Sequence, residues 1–259
     1  HLLSRRQRQM CIRDRASGNS GFALTGVGRN PQEYPTVSIE NGIDGSRAIK
    51  LETKSTGQFG ETVKMPIAAG NLFLGSFDVN NAVQKPLKAT RFGLPFGKKP
   101  LQLKGYYKYT PGTQPFKAKD KNGNTVTIPG QEDEGDIYAV LYEAAELDGK
   151  ALDGNNVLTS ENIVALARVE VEKKDEFTAF HVDFHYGSRI PIDWPKFIRD
   201  QRDPSDDGTA PYLSFSEEKM KNYEYNLAVV FTSSKYGAYF AGSVGSTLCI
   251  DKVEIVCEK

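Results

Sequence analysis

The sequence predicts an all-β protein, an antiparallel β-sandwich of jelly-roll type with long Gly/Pro-rich loops. Three observations predict it. About nine segments either alternate apolar and polar residues or run apolar for the length of a strand. The 24 glycines and 13 prolines supply frequent turns between them. Helical period is almost absent. A chain of 259 residues fits one large β domain.

Composition narrows the function. Lys and Arg total 33, and so do Asp and Glu. Nucleic-acid binding needs clustered excess basic charge, so the balance argues against a nucleic-acid partner. No run of about 18 apolar residues exists, so no membrane span is expected.

Residues 1–15 (HLLSRRQRQMCIRDR) lack the apolar core and cleavage site of a signal peptide. They resemble translated sequencing-adapter sequence. The other reading is a basic arm for an anionic partner. Taken as a non-native, artefact-like segment, they leave 16–259 as a single β-sandwich domain expected to lack its first strand.

Residues 16–41 are rich in Gly, Asn and Pro and read as loop. SRAIKLET (46–53) alternates, with Ile49 and Leu51 against Lys50 and Glu52, and predicts a strand. AGNLFLGSFD (69–78) is apolar on both faces and predicts a central strand. Residues 80–100 are a basic, loop-rich stretch that contains Arg91. LQLKGYYKYT (101–110) sets Leu103, Tyr107 and Tyr109 on one face and Gln102, Lys104, Tyr106 and Lys108 on the other. Asn122-Gly123 between two short extended pieces is a strong hairpin signal, placed over 115–129.

DIYAVLYEA (136–144) is apolar on both faces and predicts a buried strand. A strand over 163–173 follows an irregular connection. FTAFHVDFHYGS (177–188) reads as one two-sided strand, with Phe180, Val182, Phe184 and Tyr186 opposed to His181, Asp183 and His185. Residues 189–215 form a long Pro-rich loop with the only tryptophan, Trp194. A loop that long in a compact domain is usually functional or disordered. SEEKMK (216–221) reads as one helical turn, and 225–234 as a buried strand. The closing stretch, 233–258, is a Gly-rich loop feeding a final strand that inserts into the middle of a sheet. Cys249 and Cys257 lie eight residues apart on it, roughly 26 Å in extended chain, too far for the ~4.4–6.8 Å of a disulfide.

Several constellations carry chemistry on paper. His181, Asp183 and His185 share a face at steps of about 6.6–6.8 Å. One histidine with Asp183 could ligate a metal; the set could equally line a ligand-binding sheet face or simply meet solvent. Asp120 to Asn124 places oxygens at alternate positions. Thr125 and Gln131, however, stand where an EF-hand loop has Gly and Glu, which favours a hairpin turn. Glu132, Asp133, Glu134 and Asp136 read as a solvated acidic run. GSVGST (242–247) is neither a P-loop nor a nucleophile elbow and reads as a tight turn. No catalytic residues can be nominated. Candidate carbohydrate-binding residues are Trp194, Tyr106, Tyr236 and Tyr239, whose rings match the apolar face of a pyranose, with His181, Asp183, His185 and Arg91 for its hydroxyls. The rival reading is that these rings rest at the core boundary with polar tips wet.

From about residue 18 onward the chain resembles a known family. The residues that carry this are SGNSGFALTG (17–26), AGNLFLGSFD (69–78), KATRFGLPF with KPLQLKGYYKYTPG (88–112), DIYAVLYEA (136–144), LTSENIVALA (158–167) and NLAVVFTSSKYGAYFAGSVGSTLCIDKVEIVCE (226–258). Together they resemble PCMD, the "putative carbohydrate metabolism domain" of Bacteroidota surface and secreted proteins. The resemblance implies a jelly roll akin to carbohydrate-binding modules, in a secreted or cell-envelope protein of glycan utilisation. It implies a glycan ligand and a possible structural calcium at Asp251 in LCIDKVEI, whose companion ligand in such modules comes from the first strand. The function expected is non-catalytic glycan binding. The alternatives are a glycoside hydrolase or polysaccharide lyase on the same scaffold, and an adhesin-like module that engages protein.

Overall fold

A computed structural model of the chain describes residues 15–144, 151–205 and 208–258. The artefact-like segment lies outside the described residues except for Arg15, as do 145–150 and 206–207 of the two long connections. In chain order the strands are β1 (Arg15–Ala16), β2 (Thr36–Ile39), β3 (Ala48–Glu52), β4 (Lys54–Ser55), β5 (Ile67–Ala68) and β6 (Asn71–Phe77). Then come β7 (Thr90–Phe92), β8 (Leu94–Pro95), β9 (Pro100–Thr110), β10 (Lys117–Lys119), β11 (Thr125–Thr127) and β12 (Asp136–Glu143). The last are β13 (Ile163–Val169), β14 (Lys174–Asp183), β15 (His185–Tyr186), β16 (Tyr225–Thr232) and β17 (Thr247–Cys257). Short helices α1 (Asn19–Ala23), α2 (Gly57–Thr62), α3 (Lys196–Arg199) and α4 (Glu217–Lys221) sit in the loops. None of them is long and apolar enough to cross a membrane.

Two antiparallel sheets face each other. The larger has eight strands along β1-β6-β16-β12-β13-β15, with β7 beside β6 and β8 beside β16; the smaller has five, in the order β14-β9-β17-β3-β2. The expected closing strand is β17, inserted between β9 and β3. Inward side chains from both sheets form the central core, among them Leu51, Leu103, Tyr107 and Leu248 from one and Ile137, Leu141, Leu227 and Phe231 from the other. Burying each such side chain stabilises the fold by about 1.5–3 kcal/mol. Cys249 and Cys257 are both free thiols.

The local signals act as their chemistry dictates. Gly123 turns the β10–β11 hairpin at φ +74°, a conformation open to glycine. The Asp120 carboxylate accepts the Asn122 and Asn124 N–H groups, each at 2.8 Å, so it closes that turn. Ser216 caps α4 by accepting the Lys219 N–H.

One strand reading needs correction. Residues 177–188 are two strands in different sheets: β14 ends beside β9, and β15 pairs with β13 of the larger sheet. Phe184, buried in the central core, is the corner. Its N–H makes a last bond to Leu101 of β9 before the chain crosses. His181 and Asp183 therefore face out from the smaller sheet, while His185 sits opposite Leu166 on the larger. The three do not share a face.

Candidate functional site

The larger sheet is buried on its outer side as well. All eight residues of β12 are buried. Outward Phe73, Tyr138, Val140, Tyr142, Leu166 and Val230 pack beneath Leu152, Val157, Leu158 and Tyr212, so loops cover the sheet and build a second core. Between that face and its cover lies a cavity of about 190 Å³. A single water needs ~10–15 Å³ on this measure, so the space admits a small ligand.

Its floor follows from strand register. Arg168, Tyr138, Val230 and Phe73 form one cross-strand row over β13, β12, β16 and β6. Asp136, Thr232 and Asn71 form the next. Alternation sends all of these outward. Arg168 Nε and one terminal nitrogen reach the two Asp136 oxygens at 3.0 and 2.7 Å. This is a bidentate pair, the strong form of charge-assisted hydrogen bond. Burial opposes the charge on Arg168, but the Asp136 carboxylate overrides it and drives the guanidinium pKa up.

The walls come from loops. Trp194 and Arg202 belong to the Pro-rich connection, and Lys235, Tyr239 and Phe240 to the Gly-rich loop before β17. Arg202 lies over the Trp194 ring at 4.3 Å. Tyr236 and Tyr239 approach the same indole, each with its ring centroid 6.4 Å away. Arg202 also donates to the Tyr239 hydroxyl at 2.6 Å and to the Thr159 hydroxyl at 3.2 Å. The Trp194 Nε1–H is buried and meets no acceptor among the described residues.

Asp133 anchors the Gly-rich loop. Its Oδ2 accepts the Ser234 hydroxyl at 2.6 Å, the Ser243 N–H at 2.7 Å and the Ser246 hydroxyl at 2.7 Å. Burial pushes this carboxyl up to about 6, against the pull of those donors. A Cβ at Gly242 would stand 2.5 Å from Ser234 Oγ and 2.9 Å from the carboxylate, so the anchor requires glycine there. The acidic run therefore splits: Glu132 and Glu134 are exposed, while Asp133 and Asp136 are buried. The solvated reading fails for those two because their partners, far away in sequence, are donors.

The nominated residues fall into two groups. Trp194 and Tyr239 line the cavity, Tyr239 largely buried, while Tyr236 packs on the Trp194 ring without lining it. Tyr106, His181 and Asp183 lie on the open outer face of the smaller sheet, where Gln102 donates to Asp183 at 2.8 Å. His185 binds the Ser188 hydroxyl at 3.1 Å, apart from both groups. Arg91 pairs with Asp78 at 3.0 Å on edge strand β7, turned from the cavity that its neighbours Thr90 and Phe92 line. Asp251 accepts the Ile43 N–H at 2.7 Å and the Ser46 hydroxyl on one oxygen, and the Lys252 N–H at 2.7 Å on the other. All three are donors, and together they fasten the loop before β3 to β17. Asp136, Arg168, Arg202 and Lys235 were not foreseen; the outward parity of Asp136 and Arg168 was the one local sign of them.

Comparison with known proteins places the chain. The family model described as "PCMD: Putative carbohydrate metabolism domain" matches residues 4–256. No curated protein matches. A crystal structure of a "putative glycoside hydrolase" from Bacteroides thetaiotaomicron superposes at a TM-score of 0.78 with 43% identity, over 95% of this chain. This chain spans 63% of that protein's length. A second, likewise called a "putative glycoside hydrolase", from Bacteroides vulgatus, gives 0.75 and 38% identity over 94% of this chain and 85% of its own. A family 11 carbohydrate-binding module from Clostridium thermocellum overlaps 86% of this chain and 81% of its own at 8% identity and a TM-score of 0.37, too distant to carry an argument. The chain belongs to the PCMD carbohydrate metabolism domain family.

Proposed function

We propose that this domain binds a glycan without cleaving it, in an exported glycan-utilisation system, and that the ligand enters the cavity beside Trp194. The observation that carries the reading is the convergence of Trp194 and Tyr239 with Asp136, Arg168 and Arg202 over one sheet face. A pyranose has apolar C–H faces and polar rims, and this cavity combines mostly apolar walls with a few convergent polar groups. Hydrolysis would need two facing carboxyls, ~5–5.5 Å or ~6.5–9.5 Å apart. Asp136 is the one carboxylate among the described lining residues, and Arg168 occupies both its oxygens.

Calorimetric titration against a panel of poly- and oligosaccharides tests this. At least one glycan should bind saturably, weaken about tenfold or more in Trp194→Ala, and stay unchanged in Tyr106→Ala, with melting curves confirming that both variants fold. The stacking of one sugar ring on an aromatic supports an effect of that size. Loss of binding in Tyr106→Ala alone would move the site to the smaller sheet. Release of reducing sugar that depends on Asp136 would overturn the non-catalytic reading and favour the glycoside hydrolase.

A further inference from the structure

We propose that the glycan taken by this cavity is acidic, a uronate whose carboxylate is met by Arg168 and Trp194. The inference rests on the glycan-binding reading of the same cavity and adds its chemical class. Among the described lining residues Arg168, Arg202 and Lys235 are cations and Asp136 is the one carboxylate. The buried Trp194 N–H is a donor with no acceptor among the described residues. Arg168 uses Nε and one terminal nitrogen on Asp136, and its second terminal nitrogen has no acceptor among the described residues. Several acceptors nearby already hold donors. Both Asp136 oxygens hold Arg168, the Asn71 carbonyl oxygen accepts the Gly18 N–H at 2.7 Å, and the Tyr239 hydroxyl accepts from Arg202. Lys235, ion-paired with Glu134 at 2.7 Å, adds a further cation to the lining.

That surplus of donors selects the ligand. A uronate differs from a neutral hexose at one group: the hydroxymethyl of the hexose would bring an O–H donor to these donors, whereas the carboxylate brings only acceptors. A carboxylate only accepts, and its two oxygens suit the remaining arm of a guanidinium beside a second N–H. It would also satisfy an indole N–H that the folded protein otherwise leaves unpaired at a free-energy cost.

The test pairs each uronate oligosaccharide, oligogalacturonate and oligoglucuronate among them, with its methyl ester. Calorimetry should give at least one pair in which the acid binds about tenfold or more tightly than the ester. The gap should narrow at high salt, because screening weakens the ionic part. Trp194→Phe, which deletes the N–H and keeps an aromatic ring, and Arg168→Lys, which keeps the charge opposite Asp136 and removes the fork, should each erase the preference for acid while ester binding persists. Equal affinity for acid and ester, or binding of neutral glycans alone, would overturn the acidic class and leave the glycan-binding reading standing. Binding of no glycan, acidic or neutral, would overturn both.

Discussion

On the smaller sheet the outward side chains of β9, from Gln102 through Tyr106 to Lys108, reach solvent between the buried Leu103, Tyr107 and Tyr109. On the larger sheet β12 has no wet side: Tyr138, Val140 and Tyr142 face away from the central core and are buried all the same. The difference is loop coverage. The connections around Leu152 to Leu158 and Trp194 to Tyr212 fold back over one sheet and leave the other bare. Cover creates the cavity, and the bare face offers at most a flat surface. The sandwich thus uses one sheet to hold the domain together and the other to enclose a site.

This contrast can be broken by mutation. The largest effects should come from Leu141→Ala and Leu166→Ala, one on each side of the larger sheet and each nearly inaccessible. Each should lower unfolding free energy by about 2–5 kcal/mol in chemical denaturation. On the smaller sheet only the inward member of such a pair should do so: Leu103→Ala about 2–5 kcal/mol, Tyr106→Ala within about 0.5 kcal/mol. If Leu166→Ala were as mild as Tyr106→Ala, the covered face would not be a second core.

A smaller effect tests the anchor of the cavity wall. The Asp133 carboxyl sits at about 6 in the folded protein, above the ordinary carboxylate value it takes when unfolded. Between about pH 4 and pH 6 the folded chain keeps a proton that the unfolded chain has lost. Its contribution to stability is therefore full below that window and is lost as the pH rises through about 6, by about 3 kcal/mol at most. Denaturation of wild type and Asp133→Asn across pH 4–7 should show their difference changing through this window. Parallel pH profiles would mean that Asp133 does not titrate there.

Much of the fold was legible in the sequence. Alternation in 101–110 marked β9 and its buried face, and the run IYAVLY at 137–142, apolar on both faces, marked a buried strand. The Asn-Gly hairpin and the inserted closing strand followed from turn chemistry and pattern. Where the reading stopped, the cause was long-range. Period two assigns a side chain to a face but cannot say whether a distant loop covers that face, so Asp133 and Asp136 read as part of a solvated run. The crossover at Phe184 preserves the alternation of 177–188 while changing the sheet, and that hid the separation of His185 from His181. Of the site, the aromatic members were visible because Trp and Tyr in polar loops are conspicuous. The charged members were not, because their role depends on register across four strands.

Trp194 is the sole tryptophan in the chain, so intrinsic fluorescence reports on the cavity alone. The most direct test of the central claim is to titrate a calorimetrically identified glycan while recording this emission. The account predicts a saturable change in intensity or wavelength with the calorimetric Kd. Calorimetric binding that leaves the Trp194 emission unmoved, and that is not weakened in Trp194→Ala, would place the glycan elsewhere on the molecule and contradict it.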